Sequence, residues 1–241
     1  MPEEMLRIES PPMADFFESF VSIKQHVLVR FGKWEEILEQ PLPVDQAFYC
    51  NTTAMMHYAR GVAHAAIGNV PSAEAEQTLF RAAALRVPRS RIMLPATPCQ
   101  RFLEIVEDML EGEIAYRRGD QDVAFSRLRA AIALEDDLPY AEPWGWMQPI
   151  RHALGALLLK QGRVAEAELA YREDLGLAGT LPRAQIHPDN LWALRGLLTC
   201  LEKRDTTAEA RLIRQRLELA SARADLDVSV SCFCARGTSD E

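Results

Sequence analysis

The residues with the greatest chemical reach are two cysteines near the C-terminus and two histidines well upstream of them. Cys232 and Cys234 flank Phe233 inside residues 227–236, where a Val-Ser-Val-Ser alternation has the period of an extended segment. In such a segment Cys232 and Cys234 point to one side and Phe233 to the other. Two thiolates so placed can bind a soft or borderline metal such as zinc or copper, with imidazoles from His152 and His187 completing the shell. Cys-X-Cys is a weaker pattern than Cys-X-X-Cys, and no second pair accompanies it. The same two residues therefore also fit a thiol redox pair, or a tail whose cysteines pack as small hydrophobes.

A second candidate is Trp144-Gly145-Trp146, followed by Arg151 and His152. Two indoles among prolines make an apolar surface, and a nearby guanidinium can orient a carboxylate or a peptide. Alternatively, the indoles stabilise an irregular loop between helices. On an earlier helix, Tyr58 stands near His57, Arg60 and His64. His57 and His64 share a helix face, but they do not form His-Glu-X-X-His, so a zinc-protease reading fails. Phosphate-binding glycine loops and Gly-X-Ser-X-Gly elbows are absent from the sequence. Glu135–Asp137 and the pair Glu173-Asp174 fall at helix ends and read as solvated.

The elements that must position these residues come from a recurring phrase: a helix, a turn glycine, then a second helix with alanine spacing. It is clearest over Arg151–Tyr171, and returns over Glu111–Phe125 and Tyr58–Gly68. Gly32, Gly68, Gly119 and Gly162 mark the turns, and Asp205 stands where a fifth turn glycine would be. Gly155 lets two helices approach, while Ala167 and Tyr171 pack the second helix. The unit before it uses Gly112, Ala124 and Ala131 in the same way. The next one back keeps Gly61 and Ala73, but Gln77 replaces the large packing residue. A hairpin this short cannot bury its apolar face alone and must stack on others.

The repeat resembles the tetratricopeptide family, whose unit is roughly 34 residues. Intervals here are mostly longer, leaving loops at Val87–Pro98, Leu138–Pro149 and Gly176–Asn190, with Asp189 or Asn190 capping the helix that follows. Leu138–Leu159, His187–Trp192 and Ser231–Cys234 resemble a subgroup of bacterial and fungal tetratricopeptide proteins. That likeness runs from about Phe16 to Arg236. It implies repeats upstream of this segment in longer chains and brings no assigned reaction.

Bulk composition agrees with helices. Apolar residues make up 48% and aromatics 7%, which suits close helix packing better than a sheet. A net charge of −8 with no basic block argues against nucleic acid and anionic membrane as partners. The five cysteines are an odd number, mostly scattered, unlike a secreted disulfide framework. With no basic-then-apolar leader and no long apolar run, the chain reads as cytoplasmic and soluble.

The expectation is an all-α, right-handed α-solenoid of about five tetratricopeptide-like hairpins, with long loops and an extended C-terminal tail. Residues 1–15 lead in, 16–225 form the repeats and 226–241 the tail. The function expected is binding of a protein or peptide in the concave groove through Tyr58, Trp144, Trp146, Arg151 and His152, without a cofactor. The alternative is a metal- or thiol-dependent protein, an enzyme among the possibilities, using Cys232, Cys234, His152 and His187. Oligomeric state has no signature in the sequence.

Overall fold

A computed structural model of the chain describes residues 3–93, 97–141, 146–226 and 228–235. The described residues are mostly helical, and their contacts divide the chain into two compact units, one ending at Met147 and one running from Gln148 to Arg236. No helix among the described residues is long and apolar enough to cross a membrane.

The first unit begins with α1 (Glu3–Leu6), α2 (Met13–Phe17), a 3-10 turn over Glu18–Ser22, α3 (Ile23–Arg30) and α4 (Trp34–Glu39). The longer helices α5 (Cys50–Ala66) and α6 (Val70–Ala84) follow. A two-residue pair, β1 (Ile92–Met93) and β2 (Thr97–Pro98), precedes α7 (Cys99–Arg118) and α8 (Gln121–Asp136). The second unit holds α9 (Ile150–Lys160), α10 (Val164–Asp174), a 3-10 turn over Arg183–Gln185, α11 (Leu191–Lys203), α12 (Thr207–Ser221) and a last 3-10 turn over Phe233–Ala235.

Local sequence explains the turns. Gly32, Gly68, Gly119 and Gly162 all take left-handed backbone, with φ of 63°, 83°, 97° and 73°. That region suits glycine because it has no Cβ to clash. Asp205 adopts it too, at φ 56°, as short polar side chains occasionally do. Asn69 and Asn190 cap α6 and α11 by accepting from backbone N–H groups one turn in. The prolines of Val87–Pro98 exclude a continuous helix, and Ile92 pairs with Pro98 and Met93 with Thr97 in that stretch.

Each turn joins two helices that pack on each other: α3 with α4, α5 with α6, α7 with α8, α9 with α10, and α11 with α12. Small residues set the spacing. A Cβ on Gly112 would lie 2.9 Å from Leu128 of α8, and one on Gly155 would lie 2.4 Å from the Tyr171 ring of α10. Leu128 and Tyr171 stand at the same offset from their glycines. Gln77 occupies that place in the α5–α6 pair and instead donates to Glu111 at 2.8 Å, while Leu110 of α7 fills the notch at Gly61.

The C-terminal segment corrects the expectation of an extended tail. Residues 233–235 form a 3-10 turn on α9, and a disulfide joins Cys232 to Cys234. Phe233 and Cys234 are both buried, which a strand presenting alternate sides to one surface would not allow.

Candidate functional site

The second unit is organised around Tyr171. Its ring lies between Gly155 of α9 and Gly196 of α11, where an added Cβ would come within 2.4 Å and 2.2 Å of Cζ. Two glycines on different helices thus leave a slot for one phenol. The hydroxyl reaches Ser231 Oγ at 2.5 Å, although sixty residues separate them. Burial pushes the Tyr171 hydroxyl well above the ordinary tyrosine range, outweighing the Ser231 hydrogen bond, so the phenol keeps its proton.

Two cations hold the same segment by its main chain. Arg195 Nε donates to the Val228 carbonyl at 2.9 Å, and Lys160 Nζ donates to the Ala235 carbonyl at 3.0 Å. Val228, Ser231, Phe233 and Cys234 are buried between these clamps, and Cys232 is the less covered cysteine. A segment of eight described residues, ending in a 3-10 turn, is therefore seated on α9, α10 and α11. Lys160 and Arg195 carry no motif, and Ser231 stood in the sequence only as part of the Ser231–Cys234 likeness, with no role attached.

The same unit holds a buried His–Asp–His set. His152 Nε2 is 2.8 Å from Asp174 Oδ2, and His187 Nδ1 is 2.7 Å from Oδ1. The His187 backbone N–H also donates to the Asp174 carbonyl at 2.6 Å. Burial alone would raise the Asp174 pKa; the two imidazoles outweigh it and hold the carboxyl well below the usual range. An ionised carboxylate only accepts, so each ring donates an N–H to it. The arrangement ties the loop after α10 back onto the end of that helix. Asp174 is 1% exposed, which corrects its reading as a solvated helix-end acid. Glu173 beside it stays partly exposed and accepts from Arg151 Nε at 3.2 Å.

Four of the five expected contact residues, Tyr58, Trp146, Arg151 and His152, are buried side chains. In the first unit Tyr58 and Trp146 meet, ring centroids 6.1 Å apart, and His26 packs edge-on to Trp146 at 5.0 Å. Tyr58 and Trp146 are 1% and 2% exposed, and Arg151 and His152 of the second unit are also buried. None of the four offers an open face to a partner in this form: the Tyr58 and Trp146 rings are buried for their apolar area, and Arg151 and His152 pair with Glu173 and Asp174. Trp144 lies outside the described residues. His57 contacts Glu76 at 2.6 Å, and Arg60 donates to the Gln40 carbonyl at 2.5 Å.

Each residue named as a metal ligand makes another bond in this structure, the two histidines through one ring nitrogen each. Cys232 and Cys234 are spent on each other, and His152 and His187 both serve Asp174. Among the described residues no group of three or more His, Cys, Asp or Glu is placed to hold a metal ion. The remaining cysteines are poor nucleophiles: burial pushes the Cys50 thiol up, and takes Cys99 and Cys200 up to about 12.

Sequence reasoning also missed Glu18, which is fully buried. Its carboxylate accepts from the backbone of Asn51 at 3.3 Å and Thr52 at 2.8 Å, at the start of α5. Arg91 Nε donates to it at 3.1 Å and the same guanidinium also pairs with Asp15. The carboxylate thus meets the positive end of the helix dipole and a buried cation. Nothing near Glu18 in sequence hints at a helix that begins 32 residues later.

Comparison with known proteins returns no match, whether to a family model, a curated protein or a solved structure.

Proposed function

We propose that this chain is a non-catalytic interaction module, a right-handed α-solenoid of about five tetratricopeptide-like hairpins that binds a peptide segment of a partner protein. The observation that carries the reading is the seat of residues 228–235. Lys160 and Arg195 donate to main-chain carbonyls, which any peptide offers, while the Tyr171 hydroxyl meets a serine side chain. Main-chain contacts that position a ligand, combined with side-chain sites that select it, are the division of labour of peptide recognition. The hairpins, with left-handed turns and with the notches at Gly112 and Gly155 filled from one offset, support the repeat architecture.

The site so defined differs from the one expected from Tyr58, Trp146, Arg151 and His152. It uses Tyr171, Lys160 and Arg195, whose functional atoms face the seated segment. The test is binding in trans. Phe233→Asp in the full chain drives a carboxylate into a buried position and undocks the segment, because an unpaired buried charge is strongly disfavoured. A synthetic disulfide-closed peptide of residues 226–236 should then bind this variant saturably. A flat titration with a folded variant overturns the reading.

A further inference from the structure

Residues 228–235 occupy the site that the proposed function assigns to a partner's peptide, so the site must be emptied before it can work. The segment carries its own means of release. Cys232 and Cys234 are joined to each other, and the loop they close contains Phe233, whose ring and the neighbouring Cys234 are buried. The turn so formed packs on α9, and Ala235 at its end supplies the carbonyl that Lys160 holds. Cys234 N–H also donates to Cys232 Sγ at 3.3 Å. The covalent loop thus shapes the part of the segment that docks. The other three cysteines are free and buried, Cys50 and Cys99 at the starts of α5 and α7 and Cys200 on α11.

We propose that the Cys232–Cys234 disulfide is a latch that holds the chain's own C-terminal segment in the peptide site, and that an external dithiol reductant opens the site to a competing peptide of the same chemistry. This rests on the peptide-site reading above. The competing ligand is a partner segment with an apolar residue in place of Val228, a hydroxyl residue facing Tyr171, and an aromatic in place of Phe233. Its main-chain carbonyls take the Arg195 and Lys160 hydrogen bonds.

The chemistry is ordinary exchange. A thiolate of the dithiol attacks the less buried Cys232 sulfur, the Cys232–Cys234 bond breaks, and the Cys234 thiolate leaves and takes up a proton. The second thiol of the reductant, as a thiolate, attacks its own sulfur in the mixed disulfide. The reductant closes to a disulfide, and Cys232 leaves as a thiolate that is protonated. Two electrons and two protons pass to the cysteine pair, and the dithiol is oxidised by the same two electrons.

Opening a covalent loop of three residues returns backbone freedom to the undocked segment. In the chain-entropy description this lowers the docked-to-open ratio by roughly 15-fold. A ligand that binds the open form alone gains apparent affinity by the same factor, because its dissociation constant is scaled by the open fraction.

The experiment uses the full chain, oxidised and after dithiothreitol. Hydrogen exchange is followed at residues 228–235. Fluorescence anisotropy follows a labelled 226–236 peptide whose two cysteines are alanines, so that the reductant acts on the protein alone. Reduction should raise exchange across 228–235 and tighten the probe's apparent Kd, each by roughly 15-fold. The full-chain variant Cys232→Ser/Cys234→Ser should match the reduced protein without reductant and ignore dithiothreitol. Equal exchange in both states, or a double variant that still responds, overturns the latch. Exchange that rises on reduction while the probe binds neither form overturns the peptide-site reading instead, and the gating of ligand with it. A probe that binds both forms equally leaves the peptide site standing and removes the latch.

Discussion

Replacing Gly155 by Ala should destabilise the chain when Tyr171 is present and stabilise it when Tyr171 is gone. The new Cβ would lie 2.4 Å from Cζ and 2.7 Å from the hydroxyl oxygen of Tyr171. The ring must withdraw by about 1 Å to reach ordinary contact, and overpacking of this kind costs about 1–3 kcal/mol. Withdrawal also stretches the 2.5 Å contact with Ser231, at a further cost of about 1 kcal/mol. Alanine returns up to about 1 kcal/mol through helix propensity. The net loss is then about 1–3 kcal/mol. Tyr171→Ala removes a buried aromatic at about 3–5 kcal/mol, but it also removes the obstacle. In that background Gly155→Ala should gain about 0.5–1 kcal/mol, a coupling of about 2–4 kcal/mol. Gly196→Ala, at 2.2 Å from the same ring, should behave alike. Urea unfolding followed by circular dichroism gives the four corners of the cycle as midpoint shifts at constant slope. A coupling below about 0.5 kcal/mol would refute the slot, since independent sites add within that margin.

Two further predictions concern buried titratable groups. Burial lowers the His26 pKa from 6.5 to about 4, so above pH 6.5 neither folded nor unfolded chain is protonated there, and between 6.5 and 4 only the unfolded chain takes up the proton. Stability should therefore fall by about 3 kcal/mol as pH drops through that window and level off below it. His26→Phe should flatten this part of a urea-midpoint profile, and an unchanged profile would contradict the assignment. Asp174→Ala should leave two imidazole donors buried without their acceptor and cost about 3 kcal/mol or more, read as a lowered Tm with early proteolysis at the loop of residues 175–190. Because its folded pKa is depressed, the contribution of Asp174 is fully present above the ordinary carboxylate range and is lost only on strong acidification.

The legible parts of this molecule are those fixed by neighbours along the chain. A left-handed turn is a property of one residue, so Gly32, Gly68, Gly119, Gly162 and even Asp205 could be placed from sequence. Gly155 and Tyr171 face each other across one hairpin, at an offset that helix geometry sets, and they too were visible. The capping of α11 by Asn190 is equally local.

Long-range partners were not legible. Asp174 looked solvated because its two imidazoles come from a preceding helix and from the far side of a loop, with no spacing rule between them. Glu18 and the helix it caps are joined by nothing in the pattern. Trp146 sat among prolines, which left a displayed surface and a loop-stabilising indole both open, and apolar area drew it against Tyr58 and His26. Alternation made residues 227–236 look extended, but a covalent loop at Cys232–Cys234 overrides side-chain period. Lys160, Arg195 and Ser231 were missed because their contacts in this segment use main-chain carbonyls or a lone hydroxyl, which leave no composition signal.

A peptide site on α9, α10 and α11 must take up in trans the segment it holds in cis. It is tested most directly by titrating the disulfide-closed 226–236 peptide into the full-chain Phe233→Asp variant, with and without Arg195→Ala. Binding should be saturable and 1:1, and Arg195→Ala should weaken it about tenfold or more through loss of one charge-assisted hydrogen bond. An isotherm that is flat, or one that Arg195→Ala leaves unchanged, would contradict it.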